Sequence, residues 1–176
     1  KELCRGMARP TRAHWHKLKR RGRYLVDSGR TLFKYDWQGH ESEVTGYTDS
    51  DWAGCRRTRR STSGGVLMLG SHLIKQWSRT QSTVVLSSAE AELYVVVKAA
   101  VECIGLSKMS REVGQVLKCE ICTDSSAARG LVARRGLGKA RHIQTRFLWL
   151  QERVAEKDLQ VVSVATDVNV ADLFTK

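Results

Sequence analysis

The chain has 176 residues, 41% of them hydrophobic, and carries 30 Lys and Arg against 18 Asp and Glu, a formal charge of +12. That length suits one compact domain with a small appendage and buries a core without disulfide staples. The charge calls for a polyanionic partner, nucleic acid ahead of an acidic membrane. No apolar run approaches the roughly 18 residues needed to span a bilayer, so no membrane partner is expected. The basic start "KELCRGMARP" has no signal-peptide pattern. It lacks an initiator Met and the chain stops at "ADLFTK", so the sequence reads as a segment of something longer. Five cysteines without framework spacing point to a reducing, intracellular setting.

In chain order, residues 11–26, "TRAHWHKLKRRGRYLV", are predicted as a basic amphipathic helix with Trp15, Leu18 and Leu25 at helical spacings. His14 and His16 face different ways on such a helix and read as surface or core residues rather than ligands. "SGRTLFKYDWQGH" predicts a turn, a short strand "TLFKYDW" and a second turn. From Glu43 the pattern becomes strand, strand, strand, helix. "EVTGYTD" is the first strand, "SDWAGCRRTRRSTSG" a basic connection, and "GGVLMLG" and "HLIKQWSRT" two strands joined by a tight turn. A long helix follows, opened by the capping box Ser87-x-x-Glu90 and ending near Gly114.

"KCEICTD" is the fourth strand. Its Cys119 and Cys122, three apart, point to opposite faces, which argues against a shared zinc. A helix in "SSAARGLVARRG", a basic loop "GLGKARH", a helix "HIQTRFLWLQERVAEKD" and a strand "LQVVSVA" come next. "NVADLFTK" starts a final helix with Asn169 as its cap. Three strands followed by alternating helices and strands predict an α/β fold with helices packed on a mixed sheet.

Acids occupy the strand ends and helix starts that such a fold gathers at one edge. Asp49 ends the first strand, Glu92 lies early in the long helix, Asp124 ends the fourth strand, and Asp172 follows the cap Asn169. Glu92 shares a helical stripe with Val95, Val96, Ala99 and Cys103, where an uncompensated acid is costly. Carboxylates sharing one pocket repel by about 4 kcal/mol per pair at ~4 Å and an effective dielectric of ~20. The cluster makes sense with cations, and two Mg²⁺ ions are the usual partner of oxygen-only ligands that act on phosphodiesters. A flat strand puts Asp49 and Asp51 on one face, so spacing alone does not choose between them.

"GYTDSDWAG", "RRSTSGG", "LSSAEAELYV", "ICTDSSAA", "KARHI" and "NVADLFTK" occur in this order. With that order and spacing, the chain from Thr45 to Lys176 resembles the ribonuclease H domain of copia-type LTR retrotransposon Pol polyproteins. The upstream "ARPTRAHWHKLKRRGRYLVDSGRTLFKYDW" is similar to the tail of the reverse transcriptase connection, giving a boundary of 1–42 against 43–176. The resemblance implies a ribonuclease H-like fold, a five-stranded mixed sheet of order 3-2-1-4-5 with helices on both faces. It implies Mg²⁺-dependent endonucleolytic cleavage of the RNA strand of an RNA/DNA hybrid by two metal ions, with Mn²⁺ able to substitute. The family's four acids map onto Asp49, Glu92, Asp124 and Asp172, which leaves Asp51 to the turn. The reverse transcriptase domain of the same polyprotein is the implied protein partner, and a cytoplasmic particle or the nucleus the implied location.

This sequence departs from relatives of the fold that carry a mobile His before the last acid, since "TDVNVA" has none, and His142 lies one helix earlier. A basic hybrid-gripping protrusion also has no counterpart. The basic loops at 56–60 and 133–141, with Arg57, Arg60, Arg135, Lys139 and Arg141, are candidates to replace it through phosphate contacts, although merely solvated loops would carry the same residues. Ser61, Thr62, Ser63 and Ser125 are candidates to bond the nucleic-acid backbone or its 2′-OH groups, although turn formation and capping explain the same residues. Trp52 is a candidate to stack near the substrate, although core packing is the expected place of both Trp52 and Trp77. Two rivals stand beside the ribonuclease: a catalytically idle module that binds nucleic acid or tethers the polymerase, and a DNA-cutting relative such as an integrase or junction resolvase.

Overall fold

The structure is a computed structural model, describing residues 2–30, 32–136 and 146–175. It divides into two compact units, Lys1–Trp37 and Gln38–Lys176. In the first, α1 (Glu2–Arg5) precedes α2 (Arg12–Asp27). Thr11 caps α2 by accepting from the His14 amide (3.3 Å), and His14 Nδ1 accepts from the Thr11 amide (3.1 Å). The histidine thus takes the place that Glu or Gln fills in the usual reciprocal cap. No residue of α2 is buried. The expected strand "TLFKYDW" does not form: residues 32–42 have no strand, and Leu32, Phe33, Tyr35 and Trp37 are exposed. A β-prone run with no neighbouring strand has nowhere to place its backbone hydrogen bonds or its apolar side chains.

The second unit holds β1 (Glu43–Asp51), β2 (Thr62–Leu69), β3 (His72–Thr80), α3 (Ser88–Glu112), β4 (Lys118–Thr123), α4 (Ser126–Val132), α5 (Arg146–Ala155) and β5 (Gln160–Ser163). The sheet order is β3-β2-β1-β4-β5, with β1–β2 and β2–β3 antiparallel and β1–β4 and β4–β5 parallel. Gln38 is tied to this unit because its amide donates to the Leu69 carbonyl (2.8 Å) and accepts from the Ser71 amide (3.0 Å). That clamps the β2–β3 turn, where Gly70 has φ +56°, a conformation that favours glycine.

Strand alternation sorts the side chains. Val44, Gly46, Thr48 and Leu67 face α3, whose Leu93, Val96, Ala100 and Cys103 form the core with Ile121 of β4 and with Phe147 and Leu150 of α5. Ser87 caps α3 by accepting from the Glu90 amide, and the Glu90 carboxylate accepts from the Leu86 amide (2.8 Å). On the opposite face Gly64 lies against the chain's end, where an added Cβ would come within 2.9 Å of Phe174 Cβ.

That end forms two short 3₁₀ helices, Thr166–Val168 and Val170–Phe174, the second at the place of the expected closing helix. Asn169 caps the second as expected, accepting from the Ala171 amide (3.2 Å), and its Nδ2 also donates to the Thr48 carbonyl (3.0 Å). Among the described residues no helix is long and apolar enough to cross a membrane.

Candidate metal centre

The register of the parallel pair β1–β4 builds the centre. Thr48 pairs with Thr123, so the next residues, Asp49 and Asp124, leave adjacent strands side by side at their C-terminal edge. From above, the second turn of α3 lowers Glu92 onto the same edge, and Glu92 is 9% exposed. One carboxylate oxygen from each of Asp49, Glu92 and Asp124 lies within 4.8 Å of the others.

Strand parity turns Ser50 toward α3, where its amide (3.1 Å) and hydroxyl (2.9 Å) both donate to Glu92 Oε1. Glu92 Oε2 is buried with no hydrogen-bond partner. Burial is the main force pushing the Glu92 carboxyl from 4.5 up to about 7. The Ser50 hydrogen bonds oppose the rise, and the charges of Asp49 and Asp124 add to it. Asp49 is raised as well, first by burial and then by Asp124 and Asp172, against the lowering effect of a hydrogen bond from Thr175.

Asp172 stands in the 3₁₀ turn after Asn169, outside the three-oxygen cluster but close enough for its charge to raise Asp49. The Thr175 hydroxyl lies within hydrogen-bond reach of both Asp49 Oδ2 and the Asp172 carbonyl (3.0 Å for the latter), joining the turn to β1. Thr166 Oγ1 donates to Asp124 Oδ2 (2.9 Å). Asp51 points elsewhere: its Oδ1 accepts from the Thr62 amide and closes the β1–β2 connection.

The donor set is oxygen only, crowded with like charge, and holds one buried oxygen that nothing satisfies. Three carboxylates within 4.8 Å repel by about 3 kcal/mol per pair at an effective dielectric of ~20. A hard divalent cation relieves both problems, and the residues fit one.

The remaining predicted residues divide by role. Ser61 is fully buried and accepts from the Ala53 amide (3.0 Å), and Ser63 is buried and accepts from Gln81 (3.0 Å). Thr62 is buried in β2, and Ser125 caps α4 by accepting from the Ala128 amide (3.1 Å). Arg57, Arg60 and Arg135 are exposed, while Lys139, Arg141 and His142 lie outside the described residues. Trp77 is in the core as expected, 7% exposed, but Trp52 is not, at 56%. Trp52 follows the last residue of β1, at the start of the connection to β2. None of the five cysteines is in a disulfide, and no group containing Cys or His could hold a metal among the described residues. Ser50, Thr166 and Thr175 escape a reading by motif. Only Ser50 left a signal, since the residue after a strand-end acid must face the helix that the acid does not.

The sheet order, helices and acidic edge together define a ribonuclease H-like fold. Solved structures of that fold include LC11-RNase H1 isolated from compost, with a TM-score of 0.58 and 16% identity over 76% of this chain and 92% of that one. The N-terminal RNase H domain of rv2228c from Mycobacterium tuberculosis, solved as a fusion with maltose binding protein, gives 0.57 and 14% over 76% and 91%. No protein-family model matches the chain. It is 32% identical over 177 residues to the retrovirus-related Pol polyprotein from transposon TNT 1-94 of Nicotiana tabacum. Identity to that from transposon RE2 of Arabidopsis thaliana is 34% over 180 residues. Each match covers 99% of the chain, which spans 13% and 12% of those relatives' lengths. Over nearly its whole length the chain is homologous to a part of the retrovirus-related Pol polyproteins of plant copia-type transposons.

Proposed function

We propose that this chain is an endoribonuclease that cuts the RNA strand of an RNA/DNA hybrid during reverse transcription, with residues 1–42 as the tail of a reverse transcriptase connection. The observation that carries the reading is the convergence of Asp49, Glu92 and Asp124 from β1, α3 and the end of β4 within 4.8 Å, with Asp172 beside them. These four would hold two Mg²⁺ ions, which when bound supply an activated water for in-line attack and charge relief at the leaving 3′ oxygen. Ser50 fixes Glu92 Oε1 and leaves Oε2 free to ligate, so the cation takes the place of a missing hydrogen bond. Thr175 and Thr166 orient Asp49 and Asp124 through one oxygen each. Arg57, Arg60 and Arg135, with Lys139 and Arg141, would hold the phosphates, and affinity then falls steeply with salt.

The test is an end-labelled hybrid in Mg²⁺, beside duplex RNA, duplex DNA and Asp124→Asn. Cutting confined to the RNA strand of the hybrid and lost in the variant is the expected result. Hybrid that stays intact while being bound in a salt-sensitive way would overturn the nuclease reading in favour of an idle binding module. Cleavage of duplex DNA would favour the DNA-cutting relatives.

A further inference from the structure

Trp52 begins the connection from β1 to β2, next to the acidic edge. Its indole Nε1 donates to the Val85 carbonyl (3.4 Å), and Val85 is itself buried, so the ring is held by one edge while 56% of the residue stays exposed. Val84 and Leu86 on either side of that anchor are exposed too. The connection then folds back on itself: the Cys55 carbonyl accepts from the amides of Thr58 (3.2 Å) and Arg59 (2.7 Å), and the Cys55 amide donates to Arg60 (3.2 Å). Ala53 and Arg59 hold left-handed backbone, φ 54° and 57°, which disfavours side-chain-bearing residues. This strained turn presents Arg56, Arg57, Arg59 and Arg60 outward. None of the four forms an ion pair among the described residues, whereas Arg153, Lys75 and Lys98 all do. The nearest acid in sequence, Asp51, is engaged by the Thr62 amide.

We infer that the turn from Trp52 to Arg60 is a binding site for an unpaired nucleotide flanking the hybrid, its base stacked on the Trp52 indole and its phosphates held by the arginines. Four cations gathered without acids are complementary to consecutive phosphates. The indole face selects among nucleic acids: bases inside a duplex show only their edges, so a side-chain ring stacks on a base whose face is free. An extended strand advances about 3.3 Å per residue, so Trp52 lies roughly 10 Å from Asp49, a few nucleotides from the acids. The inference rests on the nuclease reading for its hybrid and adds that the preferred hybrid carries a single-stranded extension.

The full chain, in EDTA so that nothing is cut, is titrated with a blunt RNA/DNA hybrid and with the same hybrid bearing a short single-stranded RNA extension at either end. Wild type is expected to bind one extended hybrid about tenfold more tightly than the blunt one, with quenching of indole fluorescence. Trp52→Leu keeps the apolar bulk and should level the two affinities, while Trp52→Phe, which keeps an aromatic face, should retain most of the difference. Arg56→Gln with Arg57→Gln and Arg60→Gln should lower the salt slope for the extended hybrid by about 2, near 0.7 per lost contact. Equal affinity of wild type for blunt and extended hybrids overturns the site, as does a Trp52→Leu variant that keeps the tenfold preference. Adding Mg²⁺ to the same wild-type sample separates the two readings. Cleavage without an extension preference removes this site alone, and an extension preference without cleavage removes the nuclease alone.

Discussion

At the scale of single residues, Glu92 sets the terms. An acid in the apolar stripe of α3 is held near pH 7 because burial outweighs the two donors from Ser50. The folded carboxyl titrates at about 7 against 4.5 for the free acid. Between those values the folded chain keeps a proton that the unfolded chain has released, so without cation stability falls as pH rises through this window. The loss approaches about 3 kcal/mol above it. Glu92→Gln is expected to flatten that profile and to be more stable than wild type at pH 8 in EDTA, while losing cation affinity. Urea unfolding between pH 4.5 and 8 is the check; a wild-type stability as flat with pH as the variant's would defeat this account. The residue scale is also where reading by sequence stopped short. The four acids stand out by placement, but the choice of Asp49 over Asp51 rested on the resemblance, since spacing alone leaves both open; in the structure Asp51 accepts from the Thr62 amide. Nothing local marks Thr166 or Thr175 as partners of Asp124 and Asp49, 42 and 126 positions away.

At the scale of elements, the centre depends on how the last 3₁₀ turn sits on β2. Gly64 permits that approach: an added Cβ would fall 2.9 Å from Phe174 Cβ, 2.9 Å from Thr175 Cγ2 and 3.0 Å from the Ala171 carbonyl. Gly64→Ala should therefore push the turn, and with it Thr175 and Asp172, away from Asp49. An overpacked contact of this kind costs about 1–3 kcal/mol, and Mn²⁺ titration should show weaker binding as well. Gly105→Ala in α3 is the matched control, because nothing lies within 4 Å of its added Cβ. There the helix should gain up to about 1 kcal/mol with cation affinity unchanged. Elements with strong local signals, such as α3 with its Ser87 cap and β1 with its alternation, were legible in the sequence. The run "TLFKYDW" was misread because β-propensity reports fit to a partner strand, and residues 32–42 have none. The closing helix was read together with its Asn169 cap, and only its 3₁₀ geometry was left to the structure.

At the scale of the whole molecule, every buried hydrophobic residue among those described lies at Val44 or beyond. The unit from Gln38 onward therefore carries its own core. Removing residues 1–37 should leave a cooperative unfolding transition with Tm within about 4 °C of the full chain, since none of the described residues it loses is a buried hydrophobic one. A molten or unfolded product would show instead that α2 supports the fold.

The sequence by itself determined the kind of protein this is. Hydrophobic period, caps and turn residues act over a few positions, so the five strands of the sheet, the helix starts and the acids at their ends can be read along the chain. Charge sums need no structure at all. Tertiary structure alone decided which oxygens converge, that Glu92 Oε2 is left unsatisfied, that Ser61 and Ser63 are buried away from the acids' hydrogen bonds, and that Trp52 stands exposed beside arginines that form no ion pair among the described residues. These depend on register between strands and on burial, which arise from contacts distant in sequence, and no local pattern encodes them.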